Sequence, residues 1–108
     1  MSYRIDYTTF AEESINLIYD YIRIVLSNPI AAKNILIGIT KTINELVFFP
    51  YKNRLSNDEE LIKYNVRIAI YKKYKILYKI YEDDEVITIM NIYYEKMDIS
   101  NTNFMKNK

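Results

Sequence analysis

Cysteine, histidine and tryptophan are absent from this 108-residue chain, glycine occurs once and proline twice. Without cysteine there is neither a disulfide framework nor a thiolate zinc site. Without histidine the commonest metal ligand and the commonest general base are missing as well, which excludes most hydrolase constellations. The lone Gly38 sits inside an apolar helical run, so no glycine loop can cradle a phosphate in the P-loop or dinucleotide manner. Neither a metal nor a cofactor is expected. No apolar run is long enough to span a bilayer, and residues 1–6 lack a basic stretch followed by an apolar one, so no membrane association and a cytoplasmic location are expected.

What is present is a chain that is 50% apolar and 27% charged, a composition that favours a compact core over disorder. Its length suits one domain, read as residues 1–100, with a flexible tail at 101–108. Fifteen basic and fourteen acidic residues leave a net charge of +1, too little for a protein wrapped in nucleic acid. The cations are unevenly placed, however. Lys63, Arg67, Lys72, Lys73, Lys75 and Lys79 fall in a stretch with no acid, interleaved with Tyr64, Tyr71, Tyr74 and Tyr78. Ammonium groups beside stacking rings suit an anionic partner, either RNA or an acidic protein, although lysine also protects exposed strands from pairing.

Periodicity orders the elements. Tyr3, Ile5 and Tyr7 alternate with Arg4 and Asp6, predicting a strand over 3–7 with one buried face. Thr9 and Glu12 have capping-box spacing, and Ala11, Ile15, Ile18, Ile22 and Val25 form one apolar stripe, predicting a helix to about Leu26. Asn28 followed by Pro29 reads as an N-cap and first helical residue. Ala32, Ile35, Ile39, Ile43 and Leu46 make the next stripe, which ends at Pro50. Two helices joined so tightly form an antiparallel hairpin. Gly38 in the second helix marks either close packing or tolerated composition. Residues 51–63 lack periodicity and read as the one long loop, a candidate mobile segment. Three β-rich stretches come next, near 66–70, 74–80 and 86–94, predicting a meander whose Val66, Ile68 and Ile70 face the helices. The expected fold is α+β, in the order β-α-α-β-β-β. The hairpin covers one face of a four-stranded sheet, the first strand joins in parallel, and the other face is open.

The segment YIRIVLSNPIAAKNILIGITKTINELVFFP and the later VRIAIYKKYKILYKIYEDDEVITIMNIYYEKMD resemble, in order and spacing, two motifs of the RelE/ParE superfamily of bacterial toxins. The resemblance covers residues 3–98. It implies a growth-inhibiting toxin of a type II toxin-antitoxin system, of the kind linked to plasmid stabilization, held silent by a cognate antitoxin. The equal helices and the NP.AA turn look most like the ParE branch, implying inhibition of DNA gyrase. The alternatives are a RelE-like endoribonuclease cutting mRNA on the ribosome and a protein-binding module without toxicity. A homodimer or a hetero-oligomer with the antitoxin is compatible with either toxin.

The resemblance also nominates site residues. Arg67 matches the arginine of the second strand, and its expected place is the open sheet face, where it binds phosphate or carboxylate or simply pairs with an acid. Tyr94 falls where the family often has histidine, and Lys96 and Met97 fall where it has a basic pair, so the site is less basic than the family pattern. Arg67, Tyr94 and Lys96 are therefore the catalytic candidates if the chain is an enzyme. Lys63, Lys72, Lys73, Lys75 and Lys79 are the candidates for binding an anionic partner or target. Tyr93 and Tyr94 point to opposite faces, and which of them shares a face with Arg67 is not set by the sequence. Glu60 and Glu95 are candidate carboxylate bases near the site, or simply solvated acids. Leu17, Ile24 and Ile37, off the core stripes, are candidates for packing an antitoxin helix.

Overall fold

The computed structural model describes residues 3–95. Lys96, Met97 and the 101–108 tail lie outside the described residues. The first strand, β1 (Arg4–Tyr7), alternates exposed and half-buried side chains, with Tyr3, Ile5 and Tyr7 packed inward. Helix α1 (Thr9–Asp20) comes next. Its N-cap is Thr8, one residue earlier than the Thr9–Glu12 spacing suggested: Thr8 Oγ1 accepts from the Ala11 amide at 3.0 Å and donates to the Met90 carbonyl at 2.7 Å. The second bond selects Thr8 over Thr9, because it ties the helix start to the sheet.

Beyond Asp20 the helix widens into a π-helical turn over Tyr21–Val25, where the Leu26 amide donates to the Tyr21 carbonyl at 3.1 Å. The extra residue in that turn rotates the succeeding side chains off the core stripe. Ile22 is accordingly buried while Val25, expected on the stripe, is 64% exposed. Asn28 then caps α2 (Pro29–Glu45), accepting from the Ala31 amide at 3.1 Å with Pro29 at the first turn. Ala32, Ile39, Ile43 and Leu46 are buried as the spacing predicted.

Within residues 51–63, expected to be loop, Asp58 caps a short helix, α3 (Glu59–Ile62), by accepting from the Glu60 and Leu61 amides. The sheet is completed by β2 (Arg67–Tyr71), β3 (Tyr74–Tyr81) and β4 (Val86–Tyr94), in the spatial order β1-β4-β3-β2. β1 is parallel to β4 and the other pairs are antiparallel. Three helices thus pack against a four-stranded mixed sheet, the expected α+β arrangement with α3 added.

Both faces of the sheet carry apolar cores. The main one joins Ala11, Ile39, Ile43 and Leu46 of the helices to Ala69, Ile76, Tyr78, Ile87, Ile89 and Ile92 of the sheet. A smaller one, under α3, joins Leu61, Val66, Leu77 and Tyr93, with Ile68 and Met90 at its edge. The face expected to be open is therefore partly covered. The facing of β2 is also the reverse of that expected: Ala69 meets the hairpin, Val66 and Ile68 lie under α3, and Ile70 is 62% exposed. Ala69 suits the hairpin side because α2 comes close there. Gly38 sits against the Tyr71 ring, so its lack of a side chain serves close packing.

Candidate functional site

Arg67 opens β2 opposite Tyr78 and shares the hairpin-side face with Ala69 and Tyr71. Its guanidinium does not reach an open sheet face. Nη1 donates to the Asn53 carbonyl at 2.6 Å, and the guanidinium carbon lies 4.9 Å from the centre of the Tyr51 ring. Tyr78, fully buried next to it, donates its hydroxyl to the Pro50 carbonyl at 2.9 Å and accepts from Asn53 Nδ2 at 3.3 Å. Burial pushes the Tyr78 phenol above its ordinary value, with Asn53 and Arg67 pulling the other way. Arg67 and Tyr78 together pin residues 50–53 against the end of the sheet. An isolated bridge between Leu55 and Arg67 holds the same loop from its other side.

Tyr94 ends β4 opposite Tyr74, and their rings meet edge to face with centroids 5.4 Å apart. The register puts Tyr94, with Ile92 and Tyr74, on the hairpin-side face, so Tyr94 and not Tyr93 shares Arg67's face; Tyr93 faces α3 and the second core. Sharing a face does not bring the two together. Arg67 pairs with Tyr78 and Tyr94 with Tyr74, a separation of four residues along β3 and two strands across, or about 16 Å. Ile76 lies between them in the main core. Lys96 lies outside the described residues. Glu60 is exposed on α3, and Glu95 is exposed at the end of β4, where its amide donates to the Lys73 carbonyl at 2.7 Å.

The lysines lie elsewhere. Lys75 and Lys79 alternate with the inward-facing Tyr74, Ile76, Tyr78 and Ile80, which places them on the α3 side with Leu77. Lys79 Nζ sits 5.2 Å from the centre of the Tyr81 ring. Lys72 and Lys73 form the exposed β2–β3 turn, Lys72 in the left-handed region at φ 53°, and Lys63 is exposed at the end of α3. The basic residues thus border the face opposite the hairpin, whereas Arg67 belongs to the hairpin side. Among the described residues no cluster of His, Cys, Asp and Glu could hold a metal ion, and no helix is long and apolar enough to cross a membrane.

The third feature is an apolar groove of about 820 Å³ between the far end of the hairpin and the end of the sheet. Leu17, Tyr21, Leu26 and Ile35 form its helical wall, and Tyr74 and Tyr94 form its floor. Leu17 is 69% exposed here, and Ile24 and Val25 extend the apolar surface past the rim. A single chain rarely leaves so much contiguous apolar surface to water unless it is an interaction site.

The family described as ParE toxin of type II toxin-antitoxin system, parDE, matches residues 5–99. The chain belongs to the ParE toxin family. Solved structures agree in fold. A chain of the chromosomal ParDE toxin-antitoxin system from P. aeruginosa superposes with a TM-score of 0.69 at 19% identity, covering 85% of this chain and 95% of that one. A chain of the RelBE2 toxin-antitoxin complex from Mycobacterium tuberculosis gives 0.64 at 17% identity, over 87% and 92%. A mutant of the E. coli toxin RelE in the free state gives 0.52 at 15% identity, over 89% and 86%. No curated protein matches the chain.

For this ParE-family toxin, the cations and Tyr94 are candidates that the sequence names, but what surrounds them is not legible there. Tyr51, Asn53 and Tyr78, the partners of Arg67, come from a loop and a core strand whose approach no local pattern signals. Of the exposed aliphatics singled out in the sequence, Leu17 lines the groove. Tyr21 joins it as the neighbour of Leu17 one helical turn on, and Leu26 because the π turn rotates it outward.

Proposed function

We propose that this type II toxin acts in the bacterial cytoplasm by binding and poisoning DNA gyrase, and that an antitoxin silences it. The observation that carries the choice of a binding mechanism is the placement of Arg67. A ribonuclease needs cations, a base and an acid converging within hydrogen-bond reach of one phosphate. Here the guanidinium is committed to the Asn53 carbonyl and the Tyr51 ring, and the backbone position of Arg67 is about 16 Å from that of Tyr94, so its first effect is to shape the 50–55 loop. Lys96, a candidate in the same role, adds at most a single cation, and lysine lacks the planar fork that orders a phosphate. Arg67 and its loop therefore present a contoured surface to a macromolecular target, and Lys63, Lys72, Lys73, Lys75 and Lys79 supply the charge that draws in an acidic one.

The antitoxin fits the apolar groove. An amphipathic helix or strand of the partner, apolar along one edge, would cover Leu17, Tyr21 and Leu26 and rest on Tyr74 and Tyr94. The test is inducible expression in bacteria, alone and together with the product of the adjacent gene. Growth arrest that the neighbour relieves, and that a Leu17→Asp variant of the toxin makes the neighbour unable to relieve, is the expected result. Normal growth at high toxin abundance would overturn the reading.

A further inference from the structure

The outer face of α2 is a surface separate from the apolar groove. Its inward residues, Ala32, Ile39 and Ile43, are buried, and the residues opposite them, Ile37, Thr40, Lys41, Asn44 and Glu45, are exposed in one helical stripe. The stripe runs into Phe48, which stands 76% exposed in the turn after the helix. Beside it is a shallow depression of about 520 Å³, bordered by Leu36, Ile37 and Thr40 at one end and Phe48 at the other. An exposed phenylalanine next to an apolar depression is the usual form of an interface anchor without its partner.

The charges on the stripe say what that partner is. Lys41 and Glu45 are one helical turn apart, yet the ion pairs among the described residues are Arg4–Asp6 and Arg23–Asp20, so both charges are available to a partner. A two-fold axis passing across the outer face of α2, level with residues 42–43, would pair the helix with that of a second copy in antiparallel fashion. Residues whose numbers sum to about 85 then face each other across the axis. Ile37 meets Phe48 of the second copy, and Phe48 meets its Ile37. Lys41 lies beside the opposite Glu45, and Glu45 beside the opposite Lys41, so each apolar contact and each charge pair is made twice.

We propose that the outer face of α2 is a self-association surface on which a second copy of this chain docks antiparallel. Phe48 fills the depression beside Ile37, and Lys41 pairs with Glu45 across the axis. One helical face is small beside the roughly 1,200 Å² that stable interfaces bury, so the dimer is a concentration-dependent one. Because this surface lies apart from the apolar groove, the dimer and the antitoxin complex can coexist.

Sedimentation equilibrium of the full chain from about 5 μM to 1 mM, with circular dichroism to confirm folding, tests the proposal. The wild type is expected to pass from monomer to dimer. Lys41→Glu sets like charges across the axis and weakens the dimer at least about tenfold, as does Phe48→Ala. The double swap Lys41→Glu with Glu45→Lys restores the complementary pairs, and the wild-type constant returns to within about threefold. A wild type that is monomeric throughout would overturn the proposal, as would a dimer indifferent to Lys41→Glu and Phe48→Ala. Loss of antitoxin binding in Phe48→Ala, with no dimer in the wild type, would assign this face to the antitoxin instead.

Discussion

Gly38 offers the sharpest test of how the hairpin meets the sheet. A β-carbon built at this position overlaps the end of the Tyr71 ring, so Gly38→Ala cannot be accommodated unless the ring swings outward. Taken alone, alanine in a helix interior is worth about 1 kcal/mol over glycine. Against this, Tyr71 is half-buried and packs on the main core. Re-exposing roughly 80–100 Å² of ring at about 25 cal/mol per Å² costs about 2–2.5 kcal/mol. The net expectation is a destabilisation of about 1 kcal/mol. Removing the ring reverses the sign: in a Tyr71→Ala background the same Gly38→Ala change stabilises by about 1 kcal/mol. Urea denaturation of the four proteins of the cycle should therefore give a coupling near 2 kcal/mol, well above the few tenths seen for independent sites. Equal stabilisation by Gly38→Ala in both backgrounds would refute the close approach of α2 to β2.

Tyr78→Phe removes a buried hydroxyl that serves both Pro50 and Asn53 and should cost about 1–2 kcal/mol in urea melts, while Tyr64→Phe, at an exposed position after α3, should cost little. Asp58→Ala deletes the N-cap of α3 and should cost about 1 kcal/mol, with Asp58→Asn recovering most of it. Burial raises the phenols of Tyr7, Tyr74, Tyr78 and Tyr93 above 10, so the folded chain keeps protons that the unfolded chain releases. Their contribution is fully present below pH 10 and declines as the pH rises above it, and chemical denaturation at pH 9 and pH 11 should show the loss; equal stability at the two would contradict it.

Much of this architecture is legible in local pattern, and the exceptions share a cause. The alternation of Tyr3, Ile5 and Tyr7, the Asn28–Pro29 restart and the stripe from Ala32 to Leu46 each have one strong period, and the structure obeys them. β2 has no such period. Val66, Ile68, Ala69, Ile70 and Tyr71 are apolar on both parities, so only the packing of α2 and α3 chooses which side is in. α3 is a single turn whose stability comes from Leu61 entering the second core and from the Asp58 cap, and a run of acidic residues hides both. The π turn at Tyr21 is likewise invisible, since its sequence is that of any apolar helix. For the site, the cations are plain in the sequence. Their grouping is not, because Arg67 is separated from the lysines by the facing of β2 and from Tyr94 by strand register.

Binding gyrase and cutting RNA are separated by a single side-by-side assay. Purified chain should be added to DNA gyrase with relaxed plasmid and ATP, and in parallel to translating ribosomes whose mRNA ends are then mapped. A toxin that works by binding gyrase inhibits supercoiling at stoichiometric amounts and leaves no new mRNA ends. Prompt cuts in the ribosomal A site with supercoiling untouched would refute the gyrase mechanism.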